Sequence, residues 1–258
     1  QQQIEAGGNA VHLRTPVQAL CMENGKVVGV ELENGEQHRY DAVISSMPLS
    51  LLVTRMLDAP KVVRDAAAQL QFRNTMLVYL KVEGNHHFPD NWLYVHSPDL
   101  KTGRITNFNN WLPQADRTHS ILTLEYWCNP DDAIWHAAEH DLVDLACKEI
   151  RQTGLIGEHA IEDGMVVRIP RCYPVYRKGY KDLLGPIESY LKSLPNLQVI
   201  GRYGAFKYNN QDHSILMGML AADNILHDRA HDLWGINTDY DSYQEQAAIS
   251  ETGLVRVE

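Results

Sequence analysis

The chain has few basic residues for its size. Its 258 residues include 23 lysines and arginines against 33 aspartates and glutamates, which gives a formal net charge of −10. The basic residues are scattered, and no run of them is longer than Arg177-Lys178. Binding to a phosphate backbone or to an anionic bilayer requires a concentrated basic surface. We therefore expect no nucleic-acid partner and no polybasic membrane contact.

Long apolar runs and paired cysteines are also missing. No apolar stretch approaches the roughly 20 residues that cross a bilayer, so we expect no membrane span. The first residues, QQQIEAGG, have neither the basic nor the apolar region of a secretory signal. The cysteines at 21, 128, 147 and 172 show no C-x-x-C spacing. We predict a cytoplasmic protein with reduced thiols.

The sequence also lacks a metal-binding or nucleophile motif. Its histidine pairs show no H-E-x-x-H pattern and no obvious third ligand, so we expect surface histidines and no metal. Asp131-Asp132 is typical of a helix N-terminus rather than of a catalytic carboxylate pair. No nucleophile elbow is present either. The histidine pairs are His86/His87, His136/His140 and His227/His231. The catalytic residues are therefore unknown from the sequence.

The order of predicted elements indicates a discontinuous domain around an insert. Short strands with a turn at Asn34-Gly35 occupy the first fifty residues, and a helical region over 48–70 follows. Four strands rich in β-branched and aromatic residues come next, then one amphipathic helix over 131–154, a strand over 161–170 and a loop over 171–180. A helix and a short parallel-type strand complete the pattern. We expect a first domain made of 1–58 and 195–230, an inserted domain at 70–190 and a tail at 232–258.

The most informative stretch is GRYGAFKYNNQDHSILMGMLAADNI, residues 201–225. It follows a short apolar strand and passes through a polar, aromatic loop into an apolar helix that we expect to begin near Ser214. The first N–H groups of a helix lack internal partners and carry partial positive charge, which suits an anion. We expect the face of Ile215, Met219, Ala222 and Leu226 to be buried. Physical reasoning leaves two readings open here: a ligand-holding loop or a capped core helix.

Two segments resemble a known superfamily. Residues 201–225, preceded by LPNLQVI, resemble the C-terminal flavin-contacting segment of the FAD-dependent amine oxidase and protoporphyrinogen oxidase superfamily, in the style of its UDP-galactopyranose mutase-like branch. GKVVGVELENGEQHRYDAVISSMPLSLL resembles the superfamily segment that ends in a small-residue–Pro turn near the adenine half of FAD. The order of the segments matches as well, and the resemblance covers about residues 9–230.

The resemblance implies FAD as cofactor and a set of residues that contact it. Near the adenosine it places the backbone of Val17 and the turn formed by Ser45, Ser46 and Pro48. It places Gly201 and Arg202 near the pyrophosphate and ribityl chain. Five residues of the loop and helix start would contact the ribityl chain and the pyrimidine end of the flavin ring, namely Asn210, Gln211, Asp212, Ser214 and Ile215.

The resemblance also implies a small-molecule substrate, anionic or a sugar nucleotide. RIPRCYPVYRKGY combines arginine, which pairs with anions in a bidentate way, with tyrosine, which stacks and hydrogen-bonds. The alternative for this stretch is an ordinary solvated loop. The implied substrate contacts are Arg171, Tyr173, Tyr176 and Tyr208.

The dinucleotide fingerprint G-x-G-x-x-G is absent from the 258 residues. The fold that the resemblance implies is mixed α+β or α/β. Its FAD-binding (Rossmann-like) domain is partial and lacks the N-terminal dinucleotide motif, and the inserted substrate domain is a mostly antiparallel sheet with helices. We expect the chain to be the C-terminal part of a longer flavoprotein. FAD would then be absent from these residues alone or held weakly by them.

Three functions fit these observations. The leading hypothesis is an FAD-dependent oxidoreductase that transfers a hydride from its substrate to the flavin. The alternative is a sugar-nucleotide isomerase of the UDP-galactopyranose mutase type that uses reduced flavin. Asn210 argues against this alternative, since it stands where the mutases carry an acidic residue. The third hypothesis is a non-catalytic ligand-binding module.

Overall fold

The structure, a computed structural model, describes residues 1–85, 87–111 and 118–236, together with the backbone of two strands at 247–250 and 253–256. His86 and much of the predicted tail lie outside the described residues. The chain divides into two compact units, one made of Gln1–Leu70 with Tyr176–Glu258 and one made of Gln71–Val175. The predicted inserted domain was longer, since it ran to residue 190.

The elements, in chain order, begin with α1 (Gln2–Ala6), β1 (Val17–Glu23), β2 (Lys26–Leu32), β3 (Gln37–Arg39), β4 (Val43–Ser45), α2 (Leu49–Thr54) and α3 (Lys61–Gln69). The second unit contains β5 (Phe72–Glu83), β6 (Trp92–Tyr94), β7 (Arg104–Asn107), β8 (His119–Cys128), α4 (Ala133–His136), α5 (Glu139–Thr153) and β9 (Ile161–Pro174). The chain continues with α6 (Tyr180–Lys192), β10 (Leu197–Val199), α7 (Gly201–Gly204), α8 (Gln211–His227), β11 (Ala247–Ser250) and β12 (Gly253–Arg256). Short 3₁₀ helices cover Phe108–Asn110 and Leu233–Gly235.

The first unit contains an antiparallel meander and a parallel strand pair. The meander has the order β1-β2-β3, and its predicted turn places Gly35 at φ 84°. β4 pairs in parallel with β10, with Val199 opposite Ser45. Asn196 connects the two sheets, because its amide side chain accepts from Val27 N–H at 3.0 Å and donates to the Asp41 carbonyl at 2.9 Å. The parallel-type strand predicted before residue 201 is thus present.

The second unit is a five-stranded sheet covered on one face by α5. Its order is β6-β7-β8-β5-β9, and all its strand pairs are antiparallel. Side chains alternate along a strand, so every second residue of β5 and β8 enters the core under α5. That core includes Met76, Val78, Leu124 and Tyr126 with Leu142 of α5. A mostly antiparallel sheet with helices was predicted for this region, and the mixed fold class is confirmed.

Two local predictions in the second unit were wrong. The helix expected over 131–154 is interrupted after His136, and α5 begins at Glu139. The loop expected over 171–180 is partly strand, because β9 continues to Pro174. Arg171 adopts φ 53° at the point where the β5–β9 register shifts. This irregularity leaves Arg171 out of the regular pairing, and the pairing resumes at Tyr173.

α8 also differs from expectation. It begins three residues earlier than Ser214, and its most apolar side chains are exposed: Ile215, Met219 and Leu226 are 62%, 65% and 73% accessible. Its opposite face is the buried one, with Met217 and Ala221 packed on Ala205 and Leu233. The periodicity identified one helical face correctly, but the expectation that this face is buried was wrong.

Candidate functional site

The parallel pair brings two of the sequence-predicted segments together. The carboxyl ends of β4 and β10 lie at the same edge, and Ile200 N–H donates to the Ser45 carbonyl at 3.0 Å. Gly204 lies against this edge, since a Cβ at that position would be 3.0 Å from the Ser45 carbonyl oxygen. A larger residue at 204 would force the turn after β4 away from α7. Ser45, Ser46, Gly201 and Arg202 are therefore neighbours in the first unit.

Gly201 opens the turn after β10. It has φ 77°, which L-residues rarely adopt, and a Cβ there would meet no atom within 4 Å. The glycine is thus required by the backbone conformation and not by crowding. The chain leaves the strand into open space at this point, which suits the close approach of a ligand to the backbone.

The N-terminus of α8 is the second component of the candidate site. Asn210 is its N-cap residue, and no side-chain hydrogen bond from Asn210 caps the helix. The backbone N–H of His213 is the main cause of the lowered pKa of Asp212. Ser214 donates its hydroxyl to the Asn210 carbonyl at 3.1 Å, and Gln211 and Ile215 are exposed. The helix end stabilises one carboxylate already, as expected for its partial positive charge.

Asn209 is a residue that the sequence analysis missed. It is buried, its carbonyl accepts from Arg202 Nε at 2.9 Å, and its Nδ2 lies 3.0 Å from Met217 Sδ. Its Oδ1 is buried and has no hydrogen-bond partner, and the same holds for Ser45 Oγ. An unsatisfied buried polar atom costs about 1–3 kcal/mol. The burial of Asn209 could not be predicted from the sequence, because Asn209 and Asn210 are adjacent residues of the same type in one polar loop.

Tyr176 and Tyr208 meet in the first unit. Tyr208 N–H donates to the Tyr176 hydroxyl at 3.1 Å, and that hydroxyl donates to the Phe206 carbonyl at 3.2 Å. The Arg202 guanidinium lies 5.6 Å from the centre of the Tyr208 ring, within cation–π range. Two predicted substrate contacts and one predicted cofactor contact therefore form one cluster.

Arg171 and Tyr173 lie in the second unit. Arg171 donates its backbone N–H to Asn74 Oδ1 at 2.9 Å, and its side chain is exposed. The Tyr173 hydroxyl donates to Glu125 Oε1 at 3.0 Å. Tyr173 is thus engaged within its own sheet.

Glu125 is a buried carboxylate that the sequence analysis did not identify. It is only 3% exposed, accepts from Trp127 Nε1 at 2.8 Å and forms an ion pair with Arg104. Burial works against the charge of Arg104, but the Glu125 carboxylate together with Tyr173 and Tyr94 outweighs it, and the pKa of Arg104 is raised. Tyr94 adds a ring 6.0 Å from the Arg104 guanidinium. The face of this sheet opposite α5 therefore carries a fixed polar and aromatic cluster.

The pKa of Tyr173 gives a testable consequence. Burial first, and then the nearby Glu125 charge, raise it to about 12 from an ordinary value of 10.0. The folded protein retains the proton while the unfolded chain loses it, so stability falls as pH rises from about 10 to about 12. We expect the denaturant midpoint of the wild type to fall more steeply over this range than that of Tyr173→Phe. Parallel curves for the two proteins would contradict the assignment.

The remaining predicted contacts are placed as follows. The carbonyl of Val17, at the start of β1, accepts a hydrogen bond from the Arg55 guanidinium. Pro48 is the N-cap residue of α2, directly after the Ser45-Ser46 turn.

Within the described residues, no group of three or more metal-binding side chains was found. In the same part of the chain, no helix combines the length and hydropathy of a bilayer span.

Comparisons with known proteins show the family of the chain. The family described as flavin containing amine oxidoreductase matches residues 1–226, so the chain belongs to that family. This confirms the resemblance recognised in the sequence. The chain is thus a member of a family of flavin oxidoreductases. No curated protein matches it.

Solved structures show the same fold. A reduced UDP-galactopyranose mutase is 23% identical with a TM-score of 0.72, over 88% of this chain and 50% of that one. A candidate protoporphyrinogen oxidase from Exiguobacterium sp. 255-15 is 18% identical with a TM-score of 0.60, over 76% of this chain and 43% of that one. An oxidoreductase from Methanosarcina mazei is 13% identical with a TM-score of 0.53, over 78% and 46% of the two chains. The chain spans about half the length of these structures.

Proposed function

We propose that these residues contribute part of the FAD site and the substrate-binding sheet of a flavin-dependent oxidoreductase. The observation that carries the proposal is the edge shared by β4 and β10. There the Ser45-Ser46 turn and the Gly201-Arg202 turn lie side by side, as ligand sites do at the carboxyl ends of parallel strands.

The residues at this edge fit a polar, anionic cofactor. Gly201 leaves its backbone open, and Arg202 supplies a positive charge that suits a pyrophosphate. Ser45 Oγ and Asn209 Oδ1 are buried polar atoms that still lack partners. The N-terminus of α8 favours negative charge next to the same loop. We assign to FAD the set predicted from the sequence and add Asn209 to it.

The chemistry divides between the cofactor and this chain. FAD, when bound, supplies the acceptor for a hydride from the substrate. The chain supplies orientation, because Arg202 is held to Asn209 by a hydrogen bond and to Tyr208 by a cation–π contact. The substrate is a small molecule, and the Arg202–Tyr208 pair favours one that carries negative charge.

A direct test is FAD binding by the 258-residue chain. Arg202→Ala and Asn210→Ala are each expected to weaken FAD binding roughly tenfold, the effect of about 1.4 kcal/mol. The measurement is the quenching of FAD fluorescence on titration with protein. Arg229→Ala, an exposed arginine of the same unit, is the matched control and should bind like the wild type.

The proposal would be contradicted by an unchanged FAD affinity in both Arg202→Ala and Asn210→Ala while their circular dichroism remains that of the wild type. Weak binding by the wild type itself is expected, because these residues form only part of the site.

The isomerase is the second candidate, and the arginine–tyrosine pair is the observation that favours it. An anionic sugar nucleotide would suit Arg202 and Tyr208 as well as an anionic redox substrate does. The two chemistries differ in net electron transfer. An oxidoreductase bleaches its flavin when substrate is added without oxygen, whereas a mutase requires reduced flavin and leaves its oxidation state unchanged after turnover. A non-catalytic module would show neither behaviour.

A further inference from the structure

A cavity lies beside β10 in the first unit, apart from the edge that we assign to FAD. Its volume is about 430 Å³, within the roughly 300–1,000 Å³ of small-ligand sites. One wall consists of β10 and the connection that leads to it from α6, and the other is the segment 229–234 that follows α8. None of the residues assigned to FAD lines this cavity.

The free edge of β10 borders the cavity. Among the described residues β10 pairs with β4 alone, and the backbones of Asn196 and Ile200 make bonds to β4. Backbone groups alternate in direction along a strand, so those of Leu197 and Val199, which line the cavity, point away from β4. Leu197 uses its N–H in a turn, 3.3 Å from the Leu194 carbonyl. The edge therefore offers the Leu197 carbonyl and both backbone groups of Val199 to another strand.

The opposite wall is held in place by the protein itself. His231 N–H donates to Asn224 Oδ1 at 2.8 Å, and Asn224 Nδ2 donates to the His231 carbonyl at 3.1 Å. The His231 ring nitrogen Nε2 lies 2.6 Å from Asp223 Oδ2. Asp232 forms an ion pair with Lys192 of α6 at 3.3 Å. The segment is thus fixed to α8 and to α6, so a ligand does not have to order it on binding.

Arg229 is the charged side chain of the lining that has no partner in the part of the chain that the structure describes. The other charged side chains of the lining take part in the contacts just given. Gln198 adds a second polar group, because its Oε1 accepts from Asn224 Nδ2 at 3.3 Å and its amide nitrogen remains as a donor. A guanidinium and an amide N–H both favour a carboxylate, with which arginine pairs in a bidentate way.

We propose that this cavity binds the carboxyl-terminal end of an extended peptide with an apolar last residue. The peptide backbone pairs with the free edge of β10, and its carboxylate meets Arg229. Its last side chain packs on the apolar part of the lining, which includes Leu194, Pro195, Leu233 and Trp234. Strand addition to a free edge and capture of a terminal carboxylate are both general modes of peptide recognition. The inference goes beyond the proposed function, because binding here needs no flavin.

The test is isothermal titration calorimetry of the 258-residue chain with the tripeptide acetyl-Ala-Ala-Leu, for which we expect saturable binding. Its carboxamide keeps the shape but loses the charge, so it should bind at least threefold more weakly. N-acetylleucine keeps the carboxylate and the side chain but lacks the extended backbone, and it should bind at least tenfold more weakly. Methylation of the amide nitrogens, one at a time, should weaken binding at alternate positions only, since alternate N–H groups of an added strand point to β10.

Two variants of the protein identify the contacts. Arg229→Ala should weaken binding of the acid at least threefold and leave that of the carboxamide unchanged, so that the two ligands bind equally. Arg64→Ala, at an exposed arginine on α3, is the matched control and should keep the preference for the acid. Ala230→Trp, at an exposed position of the lining, should fill the mouth of the cavity and weaken both ligands at least tenfold.

The proposal is overturned if the tripeptide does not bind saturably, if the carboxamide or N-acetylleucine binds the wild type equally well, or if Arg229→Ala keeps the preference for the acid. Binding that appears only after removal of residues 247–258 would assign the edge of β10 to a strand of this chain and would also overturn it. The FAD proposal can fail or stand independently, because Arg202 and Asn210 do not line the cavity.

Discussion

Replacing Glu149 by alanine is expected to lower the free energy of unfolding of the second unit by about 2–6 kcal/mol, at about 1–3 kcal/mol for each of the two buried donors, Thr102 N–H and the Tyr126 hydroxyl, that are left unsatisfied. Glu149 lies on α5 and is 3% exposed. Its carboxylate accepts from Lys101 N–H at 2.7 Å, Thr102 N–H at 3.0 Å and the Tyr126 hydroxyl at 3.1 Å. All three donors lose their partner at once in the alanine variant.

The same carboxylate connects three elements. Lys101 and Thr102 lead into β7, Tyr126 belongs to β8, and Glu149 projects from α5. The pKa of Tyr126 is raised, first by burial and then by the nearby Glu149 charge, so its hydroxyl stays protonated and remains a donor. The network therefore fixes the position of α5 on the sheet as well as stabilising it.

The measurement is chemical denaturation followed by tryptophan fluorescence, since four of the five tryptophans lie in the second unit. Glu149→Gln keeps the size and one acceptor oxygen and should lose less stability than Glu149→Ala. Glu158→Ala, at an exposed glutamate of the same unit, should change the free energy of unfolding by no more than about 0.5 kcal/mol. Equal stability of Glu149→Ala and Glu158→Ala would contradict the network.

The elements that local patterns specify were the ones predicted best. The Asn34-Gly35 turn between two β-rich segments predicted the meander, and the strand candidates between 72 and 128 form one antiparallel sheet. The parallel-type strand before residue 201 was predicted as well, although its pairing with β4 was not. These features depend on turn chemistry and side-chain alternation, which neighbouring residues determine.

The polar residues inside the fold could not be predicted in the same way. Glu125 alternates with Leu124 and Tyr126, so the pattern indicates a solvent-facing residue on an ordinary strand. It is buried because the side chains of Arg104, Trp127 and Tyr173 surround it. Arg104 and Tyr173 belong to β7 and β9, and Trp127 is the next residue on the same face of β8. Asn209 is buried through Arg202 and Met217 in a similar way. Tertiary neighbours, and not the local sequence, decide whether a polar side chain is a network member.

In the candidate site, too, the local elements were predicted and the contacts between side chains were not. The small residues and proline of DAVISSMP predicted the strand end at Ser45, and the strand–loop–helix order predicted the one before Gly201. The substrate residues were divided by the fold: Tyr176 and Tyr208 share one cluster, while Tyr173 is bound to Glu125 in the other unit. Neighbouring positions in the sequence, such as Tyr173 and Tyr176, belong to different units because β9 ends between them.

Two methionines on α8 provide the last test, because they are two positions apart and lie in opposite environments. Met217 is fully buried against Ala205, Ala221 and Leu233, whereas Met219 is 65% exposed. Met217→Ala is expected to lower the free energy of unfolding of the first unit by about 2–5 kcal/mol, the cost of a large-to-small core substitution. Met219→Ala should change it by no more than about 0.5 kcal/mol.

The pair separates the buried face of α8 from the Met219 face, which the sequence analysis expected to be buried and which is exposed. The same residue type is shortened in the same helix, so helix propensity and side-chain chemistry are matched. Unfolding of the first unit is followed by Trp234 fluorescence, with wild-type chain as reference. Met217→Ala also removes the sulfur that Asn209 Nδ2 contacts at 3.0 Å, so it should weaken FAD binding, while Met219→Ala should not. A larger loss of stability in Met219→Ala than in Met217→Ala would show that the exposed stripe, and not the face packed on Ala205, is the buried side of this helix.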